Sequence, residues 1–532
     1  MIRVLLLLTV TLVANAAEYS PLWPMPVVHE VGRSVLELGA GFRFVSKSDA
    51  VSARLNRAMD RYTDLVGATS ARKLSHLRET SKIDECAIVV GSILSPKAEE
   101  ASLDLDVNES YTLSVQENGN CEITSETVWG ALHGMETFTQ LLTREDGGVV
   151  TRHAPIQVED KPRYSHRGVL IDSARHYLPV DSIKRVIETL PMTKMNVLHW
   201  HAVDAQSFPV DTPSAPDMKK GAFGDQTYSL DELRGIQEFA VDRGVRIIFE
   251  FDGPGHAASW GKGYPEILAD CRAKYWYNVN NLALNPVLDK TYDVLAAILK
   301  DIVTATGVKY LHLGGDEVVY GCWAADAMVV KYMEDNGITD YAELLNLYVG
   351  KANEIATDLG VTTIFWEDTF LADVRPPKTS IFDVWTNSEQ IANVTSAGYR
   401  VIAAPSDYWY LDHADNTWLK MYMYEPTTDL SEHAKSLIVG GEASMWGEMV
   451  DESNIVPKIW PTAAAVGERL WSVQSFNATQ EVASGLAIGD DDQPNPGVED
   501  ANQRLLIWRC RMTQRGYPAS PIQPGYCPVQ YV

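Results

Sequence analysis

The chain has 532 residues, 45% hydrophobic and 9% aromatic, enough apolar material for a large core and enough length for two or more domains. Its formal net charge of -26 argues against nucleic-acid backbones and anionic membranes as partners, because both would be repelled. The same acidity suits an acidic compartment, where protonation brings the charge nearer zero.

Met1 to Ala16 carries Arg3, then the apolar run Val4 to Val13 and the small-residue pattern Ala14-Asn15-Ala16. This predicts a secretory signal peptide over residues 1–16, since the run is too short to span a bilayer. No other stretch is apolar enough to cross a membrane, so the expected destination is the secretory pathway, extracellular or lysosomal. Secretion makes a disulfide framework reasonable for Cys86, Cys121, Cys271, Cys322, Cys510 and Cys527, which can pair in fifteen ways. No CxxC spacing occurs, so a zinc ribbon fits poorly. Sequential pairing keeps each bridge local and is the predicted pattern. Asn108, Asn393 and Asn477 open Asn-x-Ser/Thr sequons and are glycan acceptors where exposed.

Residues 17–162 are predicted to form a small α+β domain. Cys86 to Ser92 reads as a strand, and Tyr111–Val115 with Cys121–Thr124 read as a hairpin around Asn118-Gly119. Apolar residues at Val128, Leu132, Met135, Phe138 and Leu142 have helical spacing. Gly147-Gly148 and the stretch from Pro155 to Pro162 read as a linker.

From Arg163 to the C-terminus, short apolar strands alternate with amphipathic helices. The strand candidates are Gly168–Ile171, Asn196–His199, Val245–Phe251, Tyr310–Leu313, Thr363–Trp366, Ile381–Val384, Val401–Ala404 and Ala443–Met445. Ser229 and Glu232 form a capping box opening a helix to Arg243, with Gly244 as its stop. Asp340 caps a second helix ended by Gly360, and a last helix runs from Asp500 to Met512. Eight such units predict a (β/α)8 barrel over residues 163–532, with a doubly wound open sheet as the alternative.

A barrel concentrates chemistry just after its strands, and the sequence does so. Asp172 and Arg175-His176-Tyr177 follow the first strand, His199-Trp200-His201 and Asp204 the second, Asp252 and Gly253-Pro-Gly-His256 the third. Gly314-Gly315-Asp316-Glu317 follow the fourth, Trp366-Glu367-Asp368 the fifth and Trp385 the sixth. Tyr408-Trp409-Tyr410 and Asp412 follow the seventh, and Trp446-Gly447-Glu448 the eighth. Two glycines before adjacent carboxylates let both reach one pocket, whereas strand alternation would point them apart. Each residue also has a plain structural reading. Arg175 could simply pair with Asp172, His199 suits a hydrogen-bonded core position, and Trp366, Trp385 and Trp446 could be packing rather than the wall of a sugar pocket.

His166-Arg-Gly-Val-Leu-Ile-Asp-Ser-Ala-Arg-His-Tyr-Leu-Pro179, Asn196-Val-Leu-His-Trp-His201, His312-Leu-Gly-Gly-Asp-Glu317 and Gly441-Glu-Ala-Ser-Met-Trp-Gly-Glu448 resemble the β-N-acetylhexosaminidases of glycoside hydrolase family 20. The resemblance covers nearly the whole mature chain, and the cysteine spacings are similar to those of the animal lysosomal enzymes. One departure is Ala205, where many relatives have a second Asp after the position of Asp204.

The resemblance implies cleavage of a terminal β-N-acetylhexosamine from a glycan, without cofactor or metal, by attack of the sugar's own acetamido oxygen. Glu317 would be general acid and then base, a role calling for a raised pKa. Asp316 would accept the acetamido N–H, Tyr410 would bond the acetamido oxygen, and His256 with Asp204 would tune Glu317. Arg175 and Glu448 would hold the 3- and 4-hydroxyls, Asp412 the 4- or 6-hydroxyl, and the three tryptophans would wall the pocket. A homodimer is a further implication of the family.

Two rivals stand beside this. His199-x-His201 has metal-ligand spacing that His256, His312 and Asp316 could complete, giving a metal-dependent hydrolase. A silent lectin could keep the same pocket. Gly253-Pro-Gly-His-Ala-Ala258 also matches a dinucleotide fingerprint formally, with proline in the turn against it.

Overall fold

The computed structural model describes residues 20–48, 52–67, 81–91, 103–473 and 496–532. The predicted signal peptide and Asn477 lie outside the described residues. Among those described, no helix is long and apolar enough to cross a membrane.

The N-terminal part is a six-stranded sheet ordered Val28–Ser46, Lys82–Val90, Cys121–Ser125, Tyr111–Val115, Gly148–Asp160, Thr143–Glu145, with helices Ala53–Val66 and Val128–Gln140 against it. The predicted hairpin forms with Gly119 at φ +92°, as its turn requires. Cys86 and Cys121 sit opposite each other on neighbouring parallel strands and are bonded. The predicted linker is a correction. Residues 148–160 are a strand of this sheet, paired on one side with Val28–Ser46 and on the other with Tyr111–Val115. Proline normally interrupts a ladder because it has no N–H. Here the register with the long first strand shifts between Val31 and Ser34, opposite Ala154-Pro155-Ile156, so the ladder slips where the donor is missing.

The eight parallel strands close into a barrel: His166–Asp172, Val197–Val203, Arg246–Phe251, Tyr310–His312, Thr362–Trp366, Ile381–Val384, Arg400–Ala403 and Ile438–Met445. We number them first to eighth. The capping box forms with both of its hydrogen bonds, and its helix ends at Val241, two residues short of the expected Arg243. Strand residues facing outward pack on the helices. Those facing inward lie in layers. Val197, Ile248, Ile364, Ile381 and Ile402 make an apolar floor, which Leu105 of the N-terminal part plugs from below. Above it the interior turns polar, with His199, Glu250, His312, Asp383 and Glu442 all buried.

The last helix, Pro496–Gln514, fastens both parts together. Arg515 pairs with Glu136 of the sheet domain at 3.0 Å, and the Trp508 indole donates to the Met192 carbonyl of the barrel at 2.8 Å. The Cys510–Cys527 bridge ties the tail to this helix, and Cys271–Cys322 joins the loops after the third and fourth strands.

Candidate active site

At the end of the fourth strand the chain turns through Gly314 (φ +65°) and Gly315 (φ +98°) before Asp316 and Glu317. A Cβ on Gly314 would collide with the Asp252 carboxylate, so only glycine lets the backbone pass there. Glu317 itself has φ +47° and its neighbour His256 φ +50°, a left-handed backbone that costs a side-chain-bearing residue energy and that recurs at functional sites. The Glu317 N–H donates to Asp368 Oδ1 at 3.2 Å, which anchors the strained turn. A Cβ on Gly255 would come within 2.7 Å of the Asp316 carbonyl oxygen. That close approach accounts for a glycine of the formal dinucleotide match, and the helix that follows, Trp260–Gly263, has only four residues.

His256 is the hub. Its Nδ1 faces Asp204 Oδ1 at 3.3 Å, and its Nε2 lies 3.3 Å from Glu317 Oε2 and 3.6 Å from Asp316 Oδ2. Burial alone would lower the His256 pKa, but the Asp204 carboxylate and the other acids around it hold it well above the ordinary value. Asp204 in turn is held far below the carboxylate range by His256 and Arg175, against the effect of its burial. The two adjacent carboxyls respond in opposite ways. Burial pushes Asp316 up to about 7, and its Oδ1 is buried with no hydrogen-bond partner among the described residues. Glu317 is lowered, first by its hydrogen bond with His256. This corrects the expectation of a raised Glu317: in the open site an imidazolium and solvent outweigh the partial burial.

Arg175 spans the mouth. Its guanidinium meets Asp172 Oδ2 at 3.0 Å, Asp204 Oδ2 at 2.9 Å and Glu448 Oε1 at 3.9 Å, and lies 5.0 Å above the Trp446 ring. The plain reading, a pair with Asp172, is thus real, but the same group also reaches Asp204 and Glu448. Glu448 is exposed, and Asp412 stands on the exposed loop after the seventh strand, within electrostatic reach of Arg175.

The three tryptophans converge. Trp366 is buried and donates to Glu250 Oε1 at 2.8 Å, its ring 6.0 Å from Trp446. Trp385 donates to Asp368 Oδ2 at 2.7 Å. Tyr410 lies between them, 6.2 Å from Trp385 at 18° and 6.1 Å from Trp446 at 53°. Tyr408 instead stacks on Tyr424, and Trp409 is core.

Beneath this mouth, acids and imidazoles alternate down the barrel. Asp204 Oδ2 meets His201 Nε2 at 2.9 Å, His201 Nδ1 meets Glu250 Oε2 at 2.5 Å, and Glu250 Oε2 meets His199 Nε2 at 3.1 Å. His199 Nδ1 then meets Glu442 Oε1 at 2.7 Å, and Glu442 Oε2 meets His166 Nε2 at 3.2 Å. His199, His256 and His312 do lie within reach of carboxylates that could share an ion. His201, however, has both ring nitrogens on carboxylates and His199 is raised to about 9, its carboxylates outweighing burial. An imidazolium has no lone pair for a metal, so His199 and His201 suit protons, whereas burial lowers His312.

Sequence reading missed Glu250 and Asp383. Glu250 was detectable: it pairs in register with His201 and His312 on neighbouring strands, so alternation puts all three inside. Asp368 is in view after the fifth strand, but its partners, the Glu317 N–H and the Trp385 indole, are set by the fold and not by spacing. Asn108 is exposed, as is Asn393, whose sequon lies within the helix Glu389–Ser396 and whose Thr395 is buried.

The model of glycosyl hydrolase family 20, catalytic domain, matches residues 164–474, and a model described as beta-acetyl hexosaminidase like matches residues 22–141. The beta-hexosaminidase subunit beta of Felis catus is 34% identical over 97% of this chain and 96% of its own length. Beta-hexosaminidase 1 of Arabidopsis thaliana is 33% identical over 98% and 96%. Among solved structures, a Flavobacterium johnsoniae chitobiase superposes with a TM-score of 0.77 at 25% identity, covering 93% of this chain and 73% of that one.

Proposed function

The chain is a glycoside hydrolase belonging to family 20, and from that premise we propose that it releases terminal, non-reducing β-linked N-acetylhexosamine with retention, the substrate's acetamido oxygen acting as nucleophile. The observation that carries this reading is Asp316 Oδ1, a buried acceptor without a donor. Among the described residues, Asp252 Oδ2 and both Asp383 oxygens are unpartnered too. Asp316 Oδ1 is the one on the residue next to the exposed Glu317, where an entering acetamido N–H would satisfy it. Asp316 and Glu317 both approach one atom, His256 Nε2.

In this reading the amide N–H selects the ionised form of Asp316. The proton Asp316 holds in the open site passes to Glu317, since two acids this close titrate as a pair. Glu317, now covered by the leaving sugar, protonates the glycosidic oxygen as the acetamido oxygen closes on the anomeric carbon. The C–O bond to the leaving group breaks, leaving an oxazolinium ion. Glu317 then takes a proton from the water that opens it. Asp316 balances the positive charge on the amide nitrogen, and Tyr410 holds the acetamido oxygen in line. Arg175, Glu448 and Asp412 take the ring hydroxyls, Trp366, Trp385 and Trp446 enclose the ring, and Asp204 keeps His256 charged beside Glu317. Secretory routing, extracellular or lysosomal, and a homodimer belong to the same proposal.

Glu317→Gln and Asp316→Asn are each expected to lower turnover of an aryl N-acetylglucosaminide by at least about 100-fold, the scale of general acid loss. Replacing the substrate's N-acetyl group by hydroxyl should abolish turnover by the wild type. Undiminished cleavage of that glucoside would overturn the acetamido mechanism.

A further inference from the structure

Two largely exposed aromatic side chains stand on a loop of the barrel rim that carries the site, with Tyr277 6.5 Å from Tyr275. Trp276 is 81% exposed and Tyr277 66%, with ring centroids 6.1 Å apart at 84°. They sit on the loop between the third strand and the helix Asp289–Thr306, on the same rim as the carboxylates. That loop is held at both flanks. On one side Asn280 Oδ1 accepts from the Gln206 amide at 2.8 Å, two residues beyond Asp204. On the other, Lys274 Nζ donates to the Gly321 carbonyl at 3.0 Å, and Cys271 is bonded to Cys322, so the loop is fixed to the segment that follows Glu317. The Gly321 backbone packs so closely on the Tyr275 hydroxyl that a Cβ there would clash. A loop fastened at its flanks has less backbone freedom to lose on binding, and an exposed ring face suits the C–H face of a pyranose.

We propose that Trp276 and Tyr277 form a subsite for the sugars on the leaving-group side of the cleaved bond, making this chain selective for extended β-linked glycans over short or artificial glycosides. The inference rests on the reading of the site given above. Glu317, the proposed acid, is itself exposed at the mouth, so the leaving group must exit beside it, and the loop carrying both rings is fastened to Glu317's own loop.

The test compares kcat/KM for chitotetraose and for an aryl N-acetylglucosaminide in the wild type, Trp276→Ala, Trp276→Phe and Tyr277→Ala. Trp276→Ala should lower the chitotetraose value about fivefold to tenfold, the scale of one aromatic contact, through KM and with the aryl value unchanged. Trp276→Phe should recover part of the loss. An unchanged ratio of the two substrates in both alanine variants overturns the subsite and assigns the rings to another partner, such as a protein. An equal fall on both substrates also overturns it, as a structural role. A wild type inert toward the aryl glycoside is a separate failure: it sinks the reading of the site, and the subsite with it.

Discussion

Asp316 and Glu317 are consecutive, yet the first leaves 13% of its side chain accessible and the second 59%. Desolvation disfavours the charged form of the first, and a hydrogen-bonded imidazolium favours it in the second. Burial therefore favours the proton on the inner acid, and the proposed mechanism has the substrate move it outward. The consequence for pH is definite. Asp316 titrates at about 7, so the shared proton is present below that pH and lost above it. Activity should hold through mildly acidic pH and decline above neutrality, kcat/KM showing a basic limb with an apparent pKa near 7 that Asp316→Asn displaces. A profile level to about pH 9 would contradict the shared proton. How much of this was legible in the sequence differs by residue. The identities of Asp316, Glu317, His256 and Arg175 could be read from their recurrence after strands. The order of the two acid strengths could not, because it depends on which side chain His256 reaches, and that follows from a backbone turn with φ of +47° at Glu317.

At the scale of elements, the barrel strands were legible because burial on both faces leaves short apolar runs between helices, and all eight candidates overlap observed strands. The strand 148–160 was not, since glycine and proline read as breakers until a partner strand supplies the bulge that tolerates them. Equally hidden was the joint between the two parts, which buried ion pairs cross, Lys194 with Asp160 and Arg167 with Glu109 among them. Arg167 on the first barrel strand is buried and donates to Glu109 Oε2 at 3.0 Å and Oε1 at 2.7 Å, with its guanidinium 4.9 Å from the Trp471 ring. Burial pushes Glu109 up, but the Arg167 charge and the hydrogen bonds from His133 and Arg167 overcome it and hold the carboxyl at about 2. Asn196 donates to the same carboxylate at 3.2 Å. Glu109→Ala strands a guanidinium in the interior and should cost about 3–5 kcal/mol, read as a lower urea midpoint. Glu109→Leu combined with Arg167→Met should restore much of that loss, because no charge is then left unpaired. A single variant within about 0.5 kcal/mol of wild type would show that the joint lies elsewhere.

Across the whole molecule the interior is a proton store, and this ties stability to pH as firmly as catalysis. His199, raised to about 9, together with His201 and His256, keeps its proton in the fold above the pH at which an unfolded histidine has released it. Asp252 and Asp383 are raised as well, first by burial and then by neighbouring acids, so they too hold protons that the unfolded chain gives up. A group whose pKa is raised on folding stabilises the fold fully below its unfolded value and loses that contribution as pH climbs through its folded value. For the three imidazoles the loss begins above about 6.5, where free histidine titrates, and for His199 it runs to about 9. Opposing them on the acid side, Glu442 and Glu109 are held at about 2 by buried histidine and arginine partners that outweigh desolvation, so their contribution persists until strong acid. His166, lowered to about 4 by burial, works the other way and costs stability as pH falls below 6.5. Between pH 7 and 9 these signs add in one direction, each retained proton costing about 1.4 kcal/mol per pH unit. Net charge reinforces the trend, since a chain at -26 repels itself less when acid residues are protonated. Thermal unfolding followed by circular dichroism from pH 4 to 9 should place the highest Tm on the acidic side of neutrality, with a fall from pH 7 to 9. Replacing Glu250 by Gln should flatten that fall, because the raised pKa of His201 and His199 depends on its carboxylate. A Tm that rises toward pH 9 would mean the barrel's imidazoles are neutral, and the alternating chain of acids and histidines would then be a set of ordinary hydrogen bonds rather than a reserve of charge.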